Sequence, residues 1–121
     1  MNNVNVMVVE DEGIVSIDIR NILTRLGYTV SSVAFSGEEA IRKSRQSPPD
    51  IVLMDIGLKG DLDGIDTAAR LKRERDIPVV FLTGFADDNT LARAREIKPA
   101  GYIVKPINED ELAETVAGAL S

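Results

Sequence analysis

Four short apolar runs in this 121-residue chain each end in a side chain able to do chemistry. Val4 to Val9 leads into Glu10-Asp11-Glu12, Ile51 to Met54 into Asp55, Pro78 to Leu82 into Thr83, and Tyr102 to Val104 into Lys105-Pro106. Each residue alone has an ordinary explanation. Acids near a helix start are favoured by its dipole, an Asp can open a turn, a Thr can cap a helix and a Lys can be solvated. Separate causes of that kind do not place all four at one edge of a sheet. Carboxylates meeting at Glu10, Asp11 and Asp55 repel one another, and hard oxygen donors grouped this way suit Mg2+, which binds through one or two carboxylates plus a phosphate. Lys105 supplies further positive charge. Asp55 is then a nucleophile facing a site that can stabilise the equatorial oxygens of a phosphoryl group, with the Thr83 hydroxyl as a donor to one of them. These residues predict Mg2+-dependent phosphoryl transfer onto an aspartate, with the leaving group brought by the donor.

The elements that position these residues follow from hydrophobic pattern. The four runs are unbroken and rich in β-branched residues, which suits strands buried on both faces of a parallel sheet. Tyr28 to Ala34 is more polar and suits an edge strand. Between the runs lie helical patterns. Ile14 to Leu26 carries the stripe Val15, Ile19, Ile22 and Leu26, with Gly27 as a C-terminal cap. Ser36-Gly37-Glu38-Glu39 reads as a capping box opening a helix that ends before Pro48-Pro49. Ile65, Ala68 and Ala69 mark a third helix, and Leu91 with Ala94 a fourth whose apolar stripe is thin. Asn108 and Glu111 cap a fifth, with Leu112, Val116 and Ala119 facing inward. Five strands alternating with five helices predict an α/β domain, a parallel sheet covered on both sides, with ligands beyond the carboxyl ends of the strands. No linker or repeat divides residues 1–121, so one domain is expected.

Composition narrows the classes of function. The net charge of -6 offers no basic face for nucleic acid or an anionic membrane. There is no cysteine and no histidine, which removes disulfides and thiolate metal sites, argues against zinc and haem, and excludes a histidine general base. No apolar stretch approaches the roughly 18 residues of a membrane span, and Met1-Asn2-Asn3-Val4 lacks the pattern of a signal peptide. A cytoplasmic location is the expectation.

The segments Val8-Val9-Glu10-Asp11-Glu12, Leu53-Met54-Asp55-Ile56, Asp63-Gly64, Phe81-Leu82-Thr83-Gly84 and Gly101-Tyr102-Ile103-Val104-Lys105-Pro106, in this order, resemble the receiver domain of two-component response regulators. The resemblance covers essentially the whole chain. It implies a flavodoxin-like three-layer (βα)5 fold with strand order 2-1-3-4-5. It implies that Asp55 accepts a phosphoryl group from a phosphohistidine on a sensor kinase or phosphotransfer protein. It further implies that Mg2+ is held by Asp11, Asp55 and the backbone carbonyl of Gly57, with Glu10 acting through water. Lys105 would pair with the phosphoryl group, and the Lys105-Pro106 peptide would be cis. Switching in the family couples Thr83 to the aromatic position on the fifth strand, here Tyr102. It remodels the face of the fourth helix, fifth strand and fifth helix that meets an output partner. The resemblance also allows a phosphorylation-dependent dimer, and either a whole single-domain regulator or the receiver of a longer one.

The chain departs from the family pattern after the acceptor. Receivers commonly carry a proline four residues on, where this chain has Lys59, and Lys59 to Gly64 is one residue longer than usual. The shape of that loop is not carried over by the resemblance. Asp61, Asp63 and Gly64 suggest an EF-hand, but the first and twelfth ligands would be Lys59 and Arg70. Gly57 and Phe85 stand where the family tunes autodephosphorylation. The glycine admits water and the phenylalanine excludes it, so the two pull in opposite directions.

Three other functions have less support in these residues. A flavin- or nucleotide-binding domain of the same fold lacks support, because tryptophan and the glycine-rich phosphate fingerprints are absent. A Mg2+-dependent phosphatase often carries a second acid two residues after its nucleophile, where this chain has Gly57. A scaffold that had lost its chemistry would not keep every acid, hydroxyl and lysine.

Overall fold

The computed structural model describes residues 4–84 and 87–121. The elements alternate as β1 (Asn5–Val9), α1 (Gly13–Arg25), β2 (Thr29–Ala34), α2 (Gly37–Gln46), β3 (Ile51–Asp55), α3 (Gly64–Glu74), β4 (Val79–Thr83), α4 (Asp88–Glu96), β5 (Gly101–Val104) and α5 (Glu109–Leu120). All strand pairs are parallel and the sheet order is β2-β1-β3-β4-β5, the flavodoxin-like arrangement. Side chains alternate across the pleat, so each central strand feeds two cores. Met7, Val9, Met54 and Phe81 pack with Ala40, Ile41, Ile65, Ala68 and Leu71 on the side of α2 and α3. Val8, Leu53, Leu82 and Ile103 pack with Ile19, Leu23, Leu112 and Val116 on the side of α1 and α5. This is the three-layer sandwich expected from the unbroken apolar runs.

Local signals set the ends of the elements. Gly27 has φ +95°, the left-handed turn that closes α1. The Ser36 hydroxyl accepts from the Glu39 N–H at 3.1 Å, while the Glu39 carboxylate reaches back to the Phe35 N–H at 2.6 Å, one residue beyond the reciprocal partner of a capping box. Asn108 caps α5 through the Glu111 N–H at 3.0 Å. The strand ladder runs one residue past the apolar runs, to Asp55 and Thr83, so both chemical side chains leave the sheet from regular backbone. Leu23, fully buried on α1, extends the predicted stripe. On the edge strand β2 the register slips between Val6 and Met7 and leaves Ser31 unpaired, a bulge that discourages another strand from adding there.

α3 starts against the strand that carries Asp55. A Cβ built on Gly64 would collide with the Asp55 carbonyl and lie 2.9 Å from the Ile56 Cα, both of them main chain that cannot swing aside. At Gly118 of α5 a Cβ meets nothing within 4 Å. Gly64→Ala is therefore expected to destabilise the protein by about 2 kcal/mol or more through forced backbone movement. Gly118→Ala should stabilise it by about 0.5–1 kcal/mol, through helix propensity and a less flexible unfolded chain. Urea denaturation of both variants checks the pair, and equal effects would mean that α3 is not in contact with the strand that carries Asp55.

Candidate functional site

β1 and β3 are neighbours at the centre of the sheet, and their carboxyl ends bring the acids together. One oxygen from each of Glu10, Asp11 and Asp55 lies within 4.8 Å of the others. Glu10 is fully buried and Asp55 is 5% exposed, whereas Asp11 is half-buried and Glu12 projects outward. Main chain fixes the cluster. The Glu10 N–H donates to the Ala34 carbonyl at 3.0 Å, which pins the end of β1 to β2. The Gly57 N–H donates to Asp55 Oδ1 at 3.0 Å, and the Lys59 N–H to Asp11 Oδ2 at 3.2 Å.

Lys105 enters from the far side of the sheet. Its N–H donates to the Thr83 carbonyl at 2.8 Å, and the peptide to Pro106 is cis. The ammonium lies 3.1 Å from Glu10 Oε2, 3.5 Å from Asp55 Oδ1 and 3.8 Å from Glu12 Oε1. Burial alone would lower the lysine pKa, but the charges of Asp55 and Glu10 outweigh it and hold the ammonium above the usual lysine value. Glu10 moves furthest. Burial and the negative charge of Asp55 push its carboxyl up to about 7, against the opposing pull of Lys105.

A hard divalent cation fits this donor set. Three carboxylates meet here, and the Lys105 ammonium, the one that lies within 4 Å of Glu10 and Asp55 among the described residues, cannot neutralise all three. Glu10 Oε2 is buried and has the Lys105 ammonium 3.1 Å away but outside hydrogen-bonding geometry, which leaves lone pairs that a cation or its water would complete. Gly57 and Gly84 line the same cleft with Lys59 and Lys105. The EF-hand set does not assemble: Asp61 is exposed, and Asp63 caps α3 through the Asp66 N–H at 2.8 Å. Burial pushes the Asp63 carboxyl up, yet that N–H and the Arg93 guanidinium outweigh it and keep it below its ordinary value.

Thr83 is buried at the end of β4, and it lines a neighbouring hollow of about 290 Å3 with Gly84, Leu91, Arg95, Tyr102 and Val104 rather than the acidic cleft. Tyr102 is 38% exposed, with its ring tilted 31° to Phe81 at 6.2 Å. Phe85 lies outside the described residues. Two contacts were not read from the sequence. The Lys59 N–H on Asp11 had a signal in the missing proline. The fork of Arg93 onto Asp63 at 3.1 Å and Asp66 at 3.2 Å had none, because it joins helices far apart in the chain.

Fold and site together define a domain with an acidic cleft at the carboxyl edge of a flavodoxin-like sheet. The chain belongs to the response regulator receiver domains of two-component signal transduction, whose family model matches residues 6–117. It is 33% identical over 116 residues to the transcriptional regulatory protein PdtaR of Mycobacterium tuberculosis, covering 96% of this chain and 56% of that protein. It is 39% identical over 118 residues to the positive alginate biosynthesis regulatory protein of Pseudomonas aeruginosa, covering 95% of this chain and 46% of that one. The signal receiver domain of a modulated diguanylate cyclase from Desulfovibrio desulfuricans G20 superposes with a TM-score of 0.94 at 39% identity, covering 98% of this chain and 94% of that one. The chain thus spans about half the length of these curated relatives. Among the described residues, no helix is long and apolar enough to cross a membrane.

The raised carboxyl of Glu10 sets a pH dependence. Between the unfolded value of 4.5 and the folded value of about 7, the native state keeps a proton that the unfolded chain has lost. Stability without metal therefore falls as pH rises through that window, by on the order of 2 kcal/mol. The lowered carboxyls of Glu39, Asp63, Glu74 and Asp87 act only at lower pH, and Lys105 only above 10.5, so the window belongs to Glu10. Thermal melts in EDTA from pH 5 to 7.5 should show Tm falling by several degrees, and Glu10→Gln should flatten the profile. A flat wild-type profile would mean that Glu10 is already ionised in the metal-free fold.

Proposed function

We propose that this receiver accepts a phosphoryl group on Asp55 from a phosphohistidine of a sensor kinase or phosphotransfer protein. The observation that carries the reading is the meeting of Glu10, Asp11 and Asp55 within 4.8 Å, with Lys105 alongside. Asp11, Asp55 and the Gly57 carbonyl would hold Mg2+, and Glu10 would act through water. When bound, Mg2+ supplies the positive charge that lets carboxylates and a phosphoryl group share one cleft.

The chain's own residues do the rest. Asp55 Oδ1 is held by the Gly57 N–H and lies near Lys105, while among the described residues no hydrogen-bond donor is in place at Oδ2. An Asp55 oxygen forms the new O–P bond as the donor's N–P bond breaks, and the electron pair leaves on the donor's imidazole nitrogen. The chain therefore needs no general acid of its own. Lys105, drawn off Glu10, pairs with a phosphoryl oxygen. Thr83 moves its hydroxyl toward the phosphorylated Asp55, and the Tyr102 ring turns into the hollow they share. The face of α4, β5 and α5 then changes for an output partner or a second copy. Support for that face comes from Tyr102 and Val104, exposed at 38% and 57% on the edge strand, and from α4, of which only Ala94 is buried among the described residues. The chemistry is confined to the domain's own phosphorylation and dephosphorylation, which makes it a signalling domain.

The donor's approach is marked by Ile14 and Ile17 on α1, exposed at 86% and 55%. They line a hollow with Pro106, Ile107 and Lys105, and Lys105 also lines the acidic cleft. An apolar surface at the mouth of the site suits a helical protein donor. Ile14→Ser with Ile17→Ser is expected to slow transfer from a phosphorylated kinase by roughly tenfold or more. Labelling by acetyl phosphate should stay within about twofold, since a small donor needs no docking face. Equal loss with both donors would place the defect in the fold.

Intact mass spectrometry after incubation with acetyl phosphate tests the acceptor itself. One phosphoryl group should add to the wild type in Mg2+ and none in EDTA, and Asp55→Asn should take up none. A wild type that gains nothing, even with beryllofluoride as a phosphoryl mimic, would sink the reading.

A further inference from the structure

We propose that Lys59 is a positioning residue for the metal carboxylate Asp11, acting through its main-chain N–H; this rests on the Mg2+ reading above. The N–H donates to Asp11 Oδ2 at 3.2 Å and ties the loop after β3 to the loop after β1 across 48 positions of sequence. Receivers commonly carry proline at this place, and a proline has no N–H to give. The contact therefore exists because position 59 is not proline, and the neighbouring backbone is shaped to allow it. Gly60 turns at φ +112°, and Leu62 packs onto the core beneath α3. Half-buried Asp11 thus has one oxygen already held when a cation arrives, and a donor behind a ligand orients it and lowers the cost of binding.

The two parts of Lys59 act in opposite directions. The N–H fixes the carboxylate, while the ammonium, carried by a residue of the cleft lining, adds to the positive charge a cation must meet. Substitution separates them. Lys59→Ala keeps the N–H and drops the charge, so Mg2+ binding should be unchanged or a few-fold tighter than wild type. Lys59→Pro drops both, and should bind Mg2+ about tenfold more weakly than Lys59→Ala. Affinities are read on the unphosphorylated protein from amide chemical shifts during Mg2+ titration, with melts in EDTA as the control for folding.

A second measurement uses the metal-free protein. The Lys59 amide proton should lie downfield and exchange slowly, and Asp11→Ala should abolish both properties. Equal Mg2+ affinity in the Ala and Pro variants, with wild-type binding intact, overturns the proposal. If Lys59→Pro does not fold, the amide decides: a Lys59 signal indifferent to Asp11→Ala overturns it equally. A wild type that binds no Mg2+ overturns the metal reading first and this inference with it.

Discussion

The Lys105 ammonium sits 3.1 Å from a Glu10 oxygen and 3.5 Å from an Asp55 oxygen, and much of the molecule serves to keep it there. Three carboxylates at the rim of a buried sheet repel one another strongly where water cannot screen them. One ammonium relieves part of that repulsion, and a proton on Glu10 relieves more below about pH 7. The remaining negative charge suits the cleft to a small hard cation. These charges leave the ends of three strands, Glu10 and Asp11 from β1, Asp55 from β3 and Lys105 from β5, so sheet order decides whether they meet. With β1 and β3 adjacent and β4 carrying β5 on its outer side, the acids fall at the centre and the lysine reaches in from the edge.

The helices are not held equally. α3 begins so close to the Asp55 main chain that only glycine fits at position 64, and its N-terminal turn is crossed by that of α2. A Cβ on Gly37 would lie 2.9 Å from Leu62, in the loop between β3 and α3. α1 and α5 bury Ile19, Leu23, Leu112 and Val116 in a common core. α4 buries Ala94 and relies on side chains at its surface. β3 is therefore rigidly backed on its α3 side, and the freedom to rearrange lies toward α4 and β5.

Sequence showed the sheet and the cleft well, because both rest on strong patterns. Unbroken apolar runs at Val6 to Val9, Ile51 to Met54 and Val79 to Leu82 have few ways to be buried, and the residues following them are forced to one rim. Glu10, Asp11, Asp55 and Lys105 converge as their spacing required. Thr83 was legible as a strand end, but its place in the Tyr102 hollow depends on side-chain packing with no periodic signature. The partner of the Gly57 N–H was out of reach, since any non-proline residue carries the same donor, and at Lys59 the missing proline marked an available N–H without naming Asp11 as its acceptor. The shifted partner of Glu39 shows the same limit: the residues of a capping box are visible, the exact bond is not.

α4's attachment has a thermodynamic consequence. Its two ion pairs from Arg93 are 47% exposed on the arginine side, so each contributes at most about 1 kcal/mol. Detaching α4 would expose little apolar surface, and such an opening has a small heat-capacity change and a small denaturant slope. Urea would hardly favour it until the whole domain unfolds. Salt would, because its charges lie within reach of mobile ions. Hydrogen exchange along α4 should then follow ionic strength while the amides of β3 follow denaturant, which makes this receiver two bodies of different solvent character within one cooperative fold.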